Sequence, residues 1–279
     1  MKTIRSLVGI LSLVVAASAG AALTVQDQYL IDPPDAGQYF PGTVLGQGPS
    51  VTGFVGTYSG DSNVSIVEEG LNYSGMITAG GALRAVPFGR AGRSLSTTYD
   101  NQFVGTVFVG FLLQLGDTSD GQLPSYAAFE LFNGNSRGLQ LGASPGDFGT
   151  STNWGLRVND NNGLRLTLDA ASTDATLFVL KIDFSASPSS DAITVYQNPT
   201  DLSSEFGNVA IGTLGGFDLS FNNIRLANYS GNSGSITLDE LRMGSGFGEA
   251  TGAIPEPGTL ALLTLGAAAV TFLRKRRIA

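Results

Sequence analysis

Between residues 23 and 252 no long stretch of this chain carries apolar residues at the 3.6-residue spacing of a helix; short apolar or alternating runs bounded by turn residues recur instead. That pattern commits the chain to β structure. A count of 38 glycines, with Ser, Thr and Asn frequent between the runs, supplies the turns. The runs begin at 54–58, read as the first ordered strand after an irregular segment at Asp32-Pro33-Pro34-Asp35, and continue at 64–69 and 82–86. The most hydrophobic, 103–115, is broken by Gly105 and Gly110 and reads as a long central strand buried on both faces, with 127–132 as its partner across the 117–125 loop. Residues 154–158 and 164–168 form a hairpin whose Asn159-Asp160-Asn161-Asn162-Gly163 loop offers positive-φ residues. Residues 177–184 and 191–196 are a half-buried antiparallel pair, followed by 217–227 and 235–243. The uneven spacing of Ile236, Leu238 and Leu241 predicts a bulge at Asp239-Glu240. Roughly ten to thirteen short strands without a substantial helix make the fold class all-β, a two-sheet antiparallel sandwich.

The two ends carry different information. Residues 1–21 read as a secretory signal peptide: Lys2 and Arg5, an apolar stretch at 7–16, then Ala17-Ser18-Ala19 or Ala19-Gly20-Ala21 as cleavage site, leaving Gly20 or Ala22 at the mature terminus. An uncleaved N-terminal anchor is the alternative. At the other end, 258–273 contains no charge and as a helix would extend roughly 24 Å. Snorkelling basic side chains can make up the difference to a hydrocarbon core of about 30 Å. Arg274, Lys275, Arg276 and Arg277 follow, so the positive-inside rule keeps them cytoplasmic and leaves the body outside. Pro255-Glu256-Pro257 precedes the apolar run as an extended, accessible hinge, because each proline removes an amide donor and restricts its predecessor.

In that order, Pro-Glu-Pro, apolar run and basic cluster over 253–279 resemble the PEP-CTERM sorting tail of exported bacterial proteins, with Ile254 where Val is frequent. The resemblance implies recognition of Pro255, Glu256 and Pro257 by an exosortase, membrane retention by 258–273 and orientation by the four terminal cations. It further implies an exported protein, anchored and then processed to the envelope or an extracellular polysaccharide matrix.

Removing both ends leaves nine cations against twenty-three carboxylates, a net charge near −14 for the body of 22–252 and the hinge. Such a body is repelled by nucleic-acid phosphates. Solubility outside the cell, or cation-bridged association with acidic polymers, suits it better. The chain has no Cys and no His, which excludes disulfides, the usual zinc sites, and Ser-His-Asp or Cys-His catalysis.

The later runs, Leu180-Lys181-Ile182-Asp183-Phe184, Val195-Tyr196-Gln197-Asn198-Pro199, Ile224-Arg225-Leu226-Ala227 and Ile236 through Gly244, resemble the concanavalin A-like, laminin-G-type jelly rolls often found ahead of PEP-CTERM tails. The resemblance spans about 54–251 and implies a jelly roll of a kind that hosts carbohydrate binding, adhesion and some glycan-cleaving enzymes. Fold alone does not choose among these.

Three sets of residues are candidates for chemistry. Asp239-Glu240 is a carboxylate pair, but strand neighbours face opposite ways, whereas glycoside hydrolysis needs two carboxyls across one cleft; pairing with Arg242 or Arg225 explains them more simply. A structural calcium is the only cofactor suggested, on the oxygen-rich loops of Asp117 and Asp120 and of Asp160, neither with EF-hand spacing. Trp154, with Tyr58, Tyr73, Tyr99, Tyr126, Tyr196 and Tyr229, could offer sugar-stacking faces, although most sandwich aromatics are core residues. The sequence therefore points to a non-enzymatic, exosortase-sorted protein with a structural or carbohydrate-associated sandwich; the alternative is a carboxylate-dependent glycan hydrolase or lyase on the same fold.

Overall fold

The computed structural model describes residues 23–31, 38–78, 80–116, 123–144, 150–160, 164–231 and 234–253. The signal peptide, Asp117, Asp120 and everything from Ile254 onward lie outside the described residues.

Sixteen strands and one short helix make up these residues: β1 (Leu23–Asp27), β2 (Gly42–Thr43), β3 (Phe54–Gly60), β4 (Val64–Val67), β5 (Ala82–Ala85), β6 (Gly89–Tyr99), β7 (Gly105–Gly116), β8 (Ala127–Asn133), β9 (Ser136–Ser144), β10 (Thr150–Val158), β11 (Arg165–Ala170), β12 (Thr176–Phe184), β13 (Asp191–Gln197), β14 (Gly212–Phe217), β15 (Phe221–Asn228), β16 (Ser235–Gly244) and α1 (Phe247–Thr251). All named pairings are antiparallel and fall into two sheets. Sheet A runs β14-β13-β12-β7-β16-β5-β4-β2, with β1 also on β16; sheet B runs β11-β10-β9-β8-β15-β6-β3. The chain crosses between sheets at β2–β3–β4, β5–β6–β7–β8, β11–β12 and β14–β15–β16, which makes the fold a two-sheet antiparallel jelly-roll sandwich.

The core lies between the sheets, where Phe111 of β7 meets Phe129 of β8 at 4.2 Å and Trp154 of β10 meets Phe178 of β12 at 5.2 Å between ring centroids. As the hydrophobicity of its run predicts, β7 is central and buried on both faces, between β12 and β16. Its second face is covered by α1 and neighbouring loops, in a cluster of Phe108, Leu112, Leu177, Val179, Leu202 and Phe247. A side chain at Gly110 would collide with the Ala250 carbonyl, so this glycine lets α1 lie flat on the strand. The centre of sheet A is thus covered on both sides.

Several expectations need correction. The 127–132 run is not hydrogen-bonded to β7; as β8 it belongs to sheet B and pairs with β9 and β15. Chain-adjacent strands here pack face to face across the core, and apolar content cannot distinguish that from pairing. Residue 54 does not begin the sheets either: β1 joins the C-terminal half of β16, whose N-terminal half pairs with β5. The bulge expected at Asp239-Glu240 sits where β16 exchanges one neighbour for the other, with Glu240 at a φ of 52°. The 154–158/164–168 hairpin is present in β10 and β11, and Asn159 and Asp160 have φ of 52° and 51°.

Candidate functional site

Four strands of sheet B each frame one polar residue between two apolar ones: Phe129-Glu130-Leu131, Leu139-Gln140-Leu141, Leu156-Arg157-Val158 and Ile224-Arg225-Leu226. The apolar partners point into the core. Antiparallel register aligns the polar centres, Arg157 opposite Gln140, Gln140 opposite Glu130, and Glu130 opposite Arg225. Paired residues share a face, so one row crosses seven strands on the outer side of sheet B: Arg165, Arg157, Gln140, Glu130, Arg225, Gly92 and Ser59.

Hydrogen bonds make the middle of the row rigid. Glu130, fully buried, accepts from Arg225 Nε at 2.6 Å and from the Tyr126 hydroxyl at 2.8 Å, and pairs with Arg137 Nε at 3.1 Å. Gln140 Nε2 donates to the Tyr126 oxygen at 2.6 Å, while its Oε1 accepts from Arg137 and Arg157 at 3.2 and 3.1 Å. Asp160 Oδ1 receives the same two guanidinium groups, each at 2.9 Å. The Arg225 guanidinium lies 3.9 Å from the Phe132 ring centroid, a cation–π contact. Beside it a recess of about 230 Å³ is lined by Ser59, Arg90, Gly92, Phe132, Asn223 and Arg225, among others. This face holds oriented charge that is not fully sealed.

The carboxylate pair at the bulge behaves differently. Asp239 and Glu240 are both inaccessible to solvent. Asp239 accepts the backbone N–H groups of Leu71 and Glu240, each at 2.7 Å; burial, followed by the Glu240 charge, pushes its pKa up to about 8 against those two donors. Glu240 accepts from Arg242 at 2.6 Å and Gln28 at 2.9 Å, so Arg242 is its partner and Arg225 belongs to the other sheet. Nearby, buried Asp27 takes the Tyr39 hydroxyl at 2.5 Å, and Arg93 donates to Tyr39 at 3.1 Å and to the Pro49 carbonyl at 2.6 Å. Burial raises Asp27 to about 6, opposed first by the Tyr39 bond. These groups tie β1 and the following loops to the sandwich; recesses of about 190 and 300 Å³ beside them are lined by Asp27 and Tyr39 and by Arg242, but by neither Asp239 nor Glu240.

The remaining candidates separate by access. Trp154 is fully buried, with its edge against Phe178, so the expectation of a ligand platform there is corrected. Tyr58, Tyr99 and Tyr196 are buried as well, and Tyr73 is half-buried away from sheet B's row. Tyr126 and Tyr229 alone of the six expected tyrosines lie at the row, ring to ring at 4.9 Å. Asp160, weighed as a calcium ligand, pairs through Oδ1 with the two arginines. Among the described residues no group of three or more acidic side chains is arranged to hold a metal ion. Sequence reading missed the row; the four polar-centred apolar triplets are the signal that could have found it.

With this geometry the protein is a two-sheet antiparallel jelly-roll sandwich bearing a polar outer face. Its residues 253–277 match the PEP-CTERM protein-sorting motif. No curated protein matches the chain. Among solved structures it is similar to the lectin UEA-II complexed with galactose, at 11% identity over 73% of this chain and 96% of that one, TM-score 0.42. It is also similar to a GH131 beta-glucanase catalytic domain from Podospora anserina, at 12% identity over 70% and 89%, TM-score 0.42. A third is the botulinum neurotoxin serotype D binding domain, at 8% identity over 68% and 43%, TM-score 0.44. The chain spans less than half the length of that neurotoxin structure. No helix among the described residues is long and apolar enough to cross a membrane.

Proposed function

We propose that this is an exported protein, sorted by an exosortase to the envelope or extracellular matrix, whose sandwich binds carbohydrate through the outer face of sheet B without catalysing a reaction. The observation that carries the sorting half is the motif at 253–277, which starts on Ala253, the last described residue, itself bridged to Met76. Before processing, the apolar run 258–273 holds the protein in the membrane with Arg274 to Arg277 inside; Pro255, Glu256 and Pro257 are the recognition element. A face of fixed hydrogen-bonding side chains beside Tyr126, Tyr229 and Phe132 is the chemistry that sugars require: polar groups that set orientation and rings that set stacking.

The rival, a glycan hydrolase or lyase, receives no support from the carboxylates it would use. Asp239 and Glu240 are inaccessible, and Glu130 is enclosed by its three partners. Incubation with a panel of polysaccharides, with reducing ends and unsaturated products measured, is expected to show no turnover; turnover abolished by one carboxylate substitution would refute the binding role. For sorting, Ala at 255, 256 and 257 together is expected to leave the precursor unprocessed at the membrane, as read by a size shift on immunoblots.

A further inference from the structure

The geometry points to an acidic polysaccharide bearing uronate carboxylates as the ligand of sheet B's outer face; this rests on the binding role proposed for that face. The body carries nine cations against twenty-three carboxylates, and four of the nine, Arg137, Arg157, Arg165 and Arg225, stand in the row or pair with it. Among the described residues the carboxylates paired with these four are Glu130 and Asp160, and each is engaged by two guanidinium groups. The sign of the charge is locally reversed. A neutral sugar would gain little from that reversal, and a nucleic acid would meet the surrounding negative body along its length.

Arg225 supplies the recognition geometry. Its Nε is fixed by buried Glu130 and its plane lies against Phe132, while its two terminal nitrogens donate no hydrogen bond to any described residue. They border the recess, whose other wall holds Arg90, with a side chain 51% exposed and paired to Asp61, 42% exposed, at 3.1 Å. A guanidinium held by one edge and one face offers its remaining fork to a planar two-oxygen anion, and a carboxylate fits that fork with two parallel bonds. Gly92 floors the recess, while Ser59 and Asn223 supply hydroxyl and amide partners for ring oxygens. At about 230 Å³ the space suits a single sugar unit. From Arg225 on β15 to Arg165 on β11 is four inter-strand steps, roughly 19 Å, which lets further units of one polymer lie along the row.

The test uses the full chain in detergent and four probes: sodium alginate, carboxyl-reduced alginate, dextran and dextran sulfate, measured by biolayer interferometry at about 150 mM salt with and without chelator. Alginate is expected to bind with and without chelator, and carboxyl reduction or Arg225→Lys to weaken it roughly tenfold or more, since lysine keeps the charge but loses the fork. Arg90→Gln, at an exposed pair that the fold does not need, is expected to weaken alginate severalfold and so guards against a folding artefact at Arg225. Dextran binding equal to alginate's would overturn the uronate class while leaving the carbohydrate-binding face intact. Dextran sulfate binding tighter than alginate, or alginate binding that chelator abolishes and neither substitution changes, would overturn direct guanidinium recognition. Binding of none of the four would refute the inference together with the reading beneath it.

Discussion

Two clusters of charge occupy opposite sheets of this sandwich, and the same residue types serve different ends in each. At the bulge of β16, Asp239, Glu240 and Arg242 are shut away from water together with Asp27 of β1. Across sheet B, Glu130 is equally buried, but Arg137 and Arg225 retain 18% and 20% of their side-chain surface and Asp160 retains 54%. The difference follows from what covers each outer face: α1 and loops over sheet A, the arginines themselves over sheet B. A sealed cluster can only fix the fold, whereas one with its cations at the surface can also meet a ligand.

Breaking the sealed cluster should cost most. Arg242→Met leaves Glu240 as a buried charge without the cation that pairs with it, and a loss of about 3–5 kcal/mol in urea denaturation is expected. The corresponding cut on sheet B, Arg225→Met, leaves Glu130 with Arg137 and Tyr126, and about 1–3 kcal/mol is expected. Equal losses would mean that the two clusters are not distinguished by access. Smaller still, Arg90→Gln should change stability by less than about 1 kcal/mol.

The comparison also has a pH signature. Asp27 and Asp239 have folded pKa values raised to about 6 and about 8, above those of the unfolded chain. A raised acid stabilises the fold fully below its unfolded value, and that stabilisation is lost as pH rises through the folded one. The urea midpoint should therefore fall between about pH 4 and pH 8. Glu205, lowered by Lys181 and Tyr196 on sheet A's outer side, acts in the opposite sense but is partly exposed. A midpoint that rises steadily over this range would show that the bulge carboxylates are ionised at no cost.

Fold class was legible because it depends on period, and period is local: β7, the β10–β11 hairpin, the β12–β13 pair and the β16 bulge all followed from spacing. Pairing was not, because β8 carries the same apolar signal whether it sits beside β7 or across the core from it. The candidate site failed for the same reason. Arg157, Gln140, Glu130 and Arg225 are scattered over nearly one hundred residues of sequence, and only register brings them into line. Trp154 misled because a lone tryptophan looks the same in sequence whether it faces sugar or Phe178.

The root of the sorting tail has a mechanical meaning. Ala253 is bridged to Met76, the Gly252 carbonyl accepts from the Ile77 amide at 3.2 Å, and Arg242 reaches the Thr251 carbonyl at 3.3 Å. Any pull on the tail therefore enters through α1 into β16, a strand hydrogen-bonded to β7 on one side and to β5 and β1 on the other. Load applied along a doubly paired strand is shared by many bonds at once rather than peeling them singly. A sandwich tethered by this end would resist tension at its strongest seam, and the open face of sheet B would stay in shape while it is held.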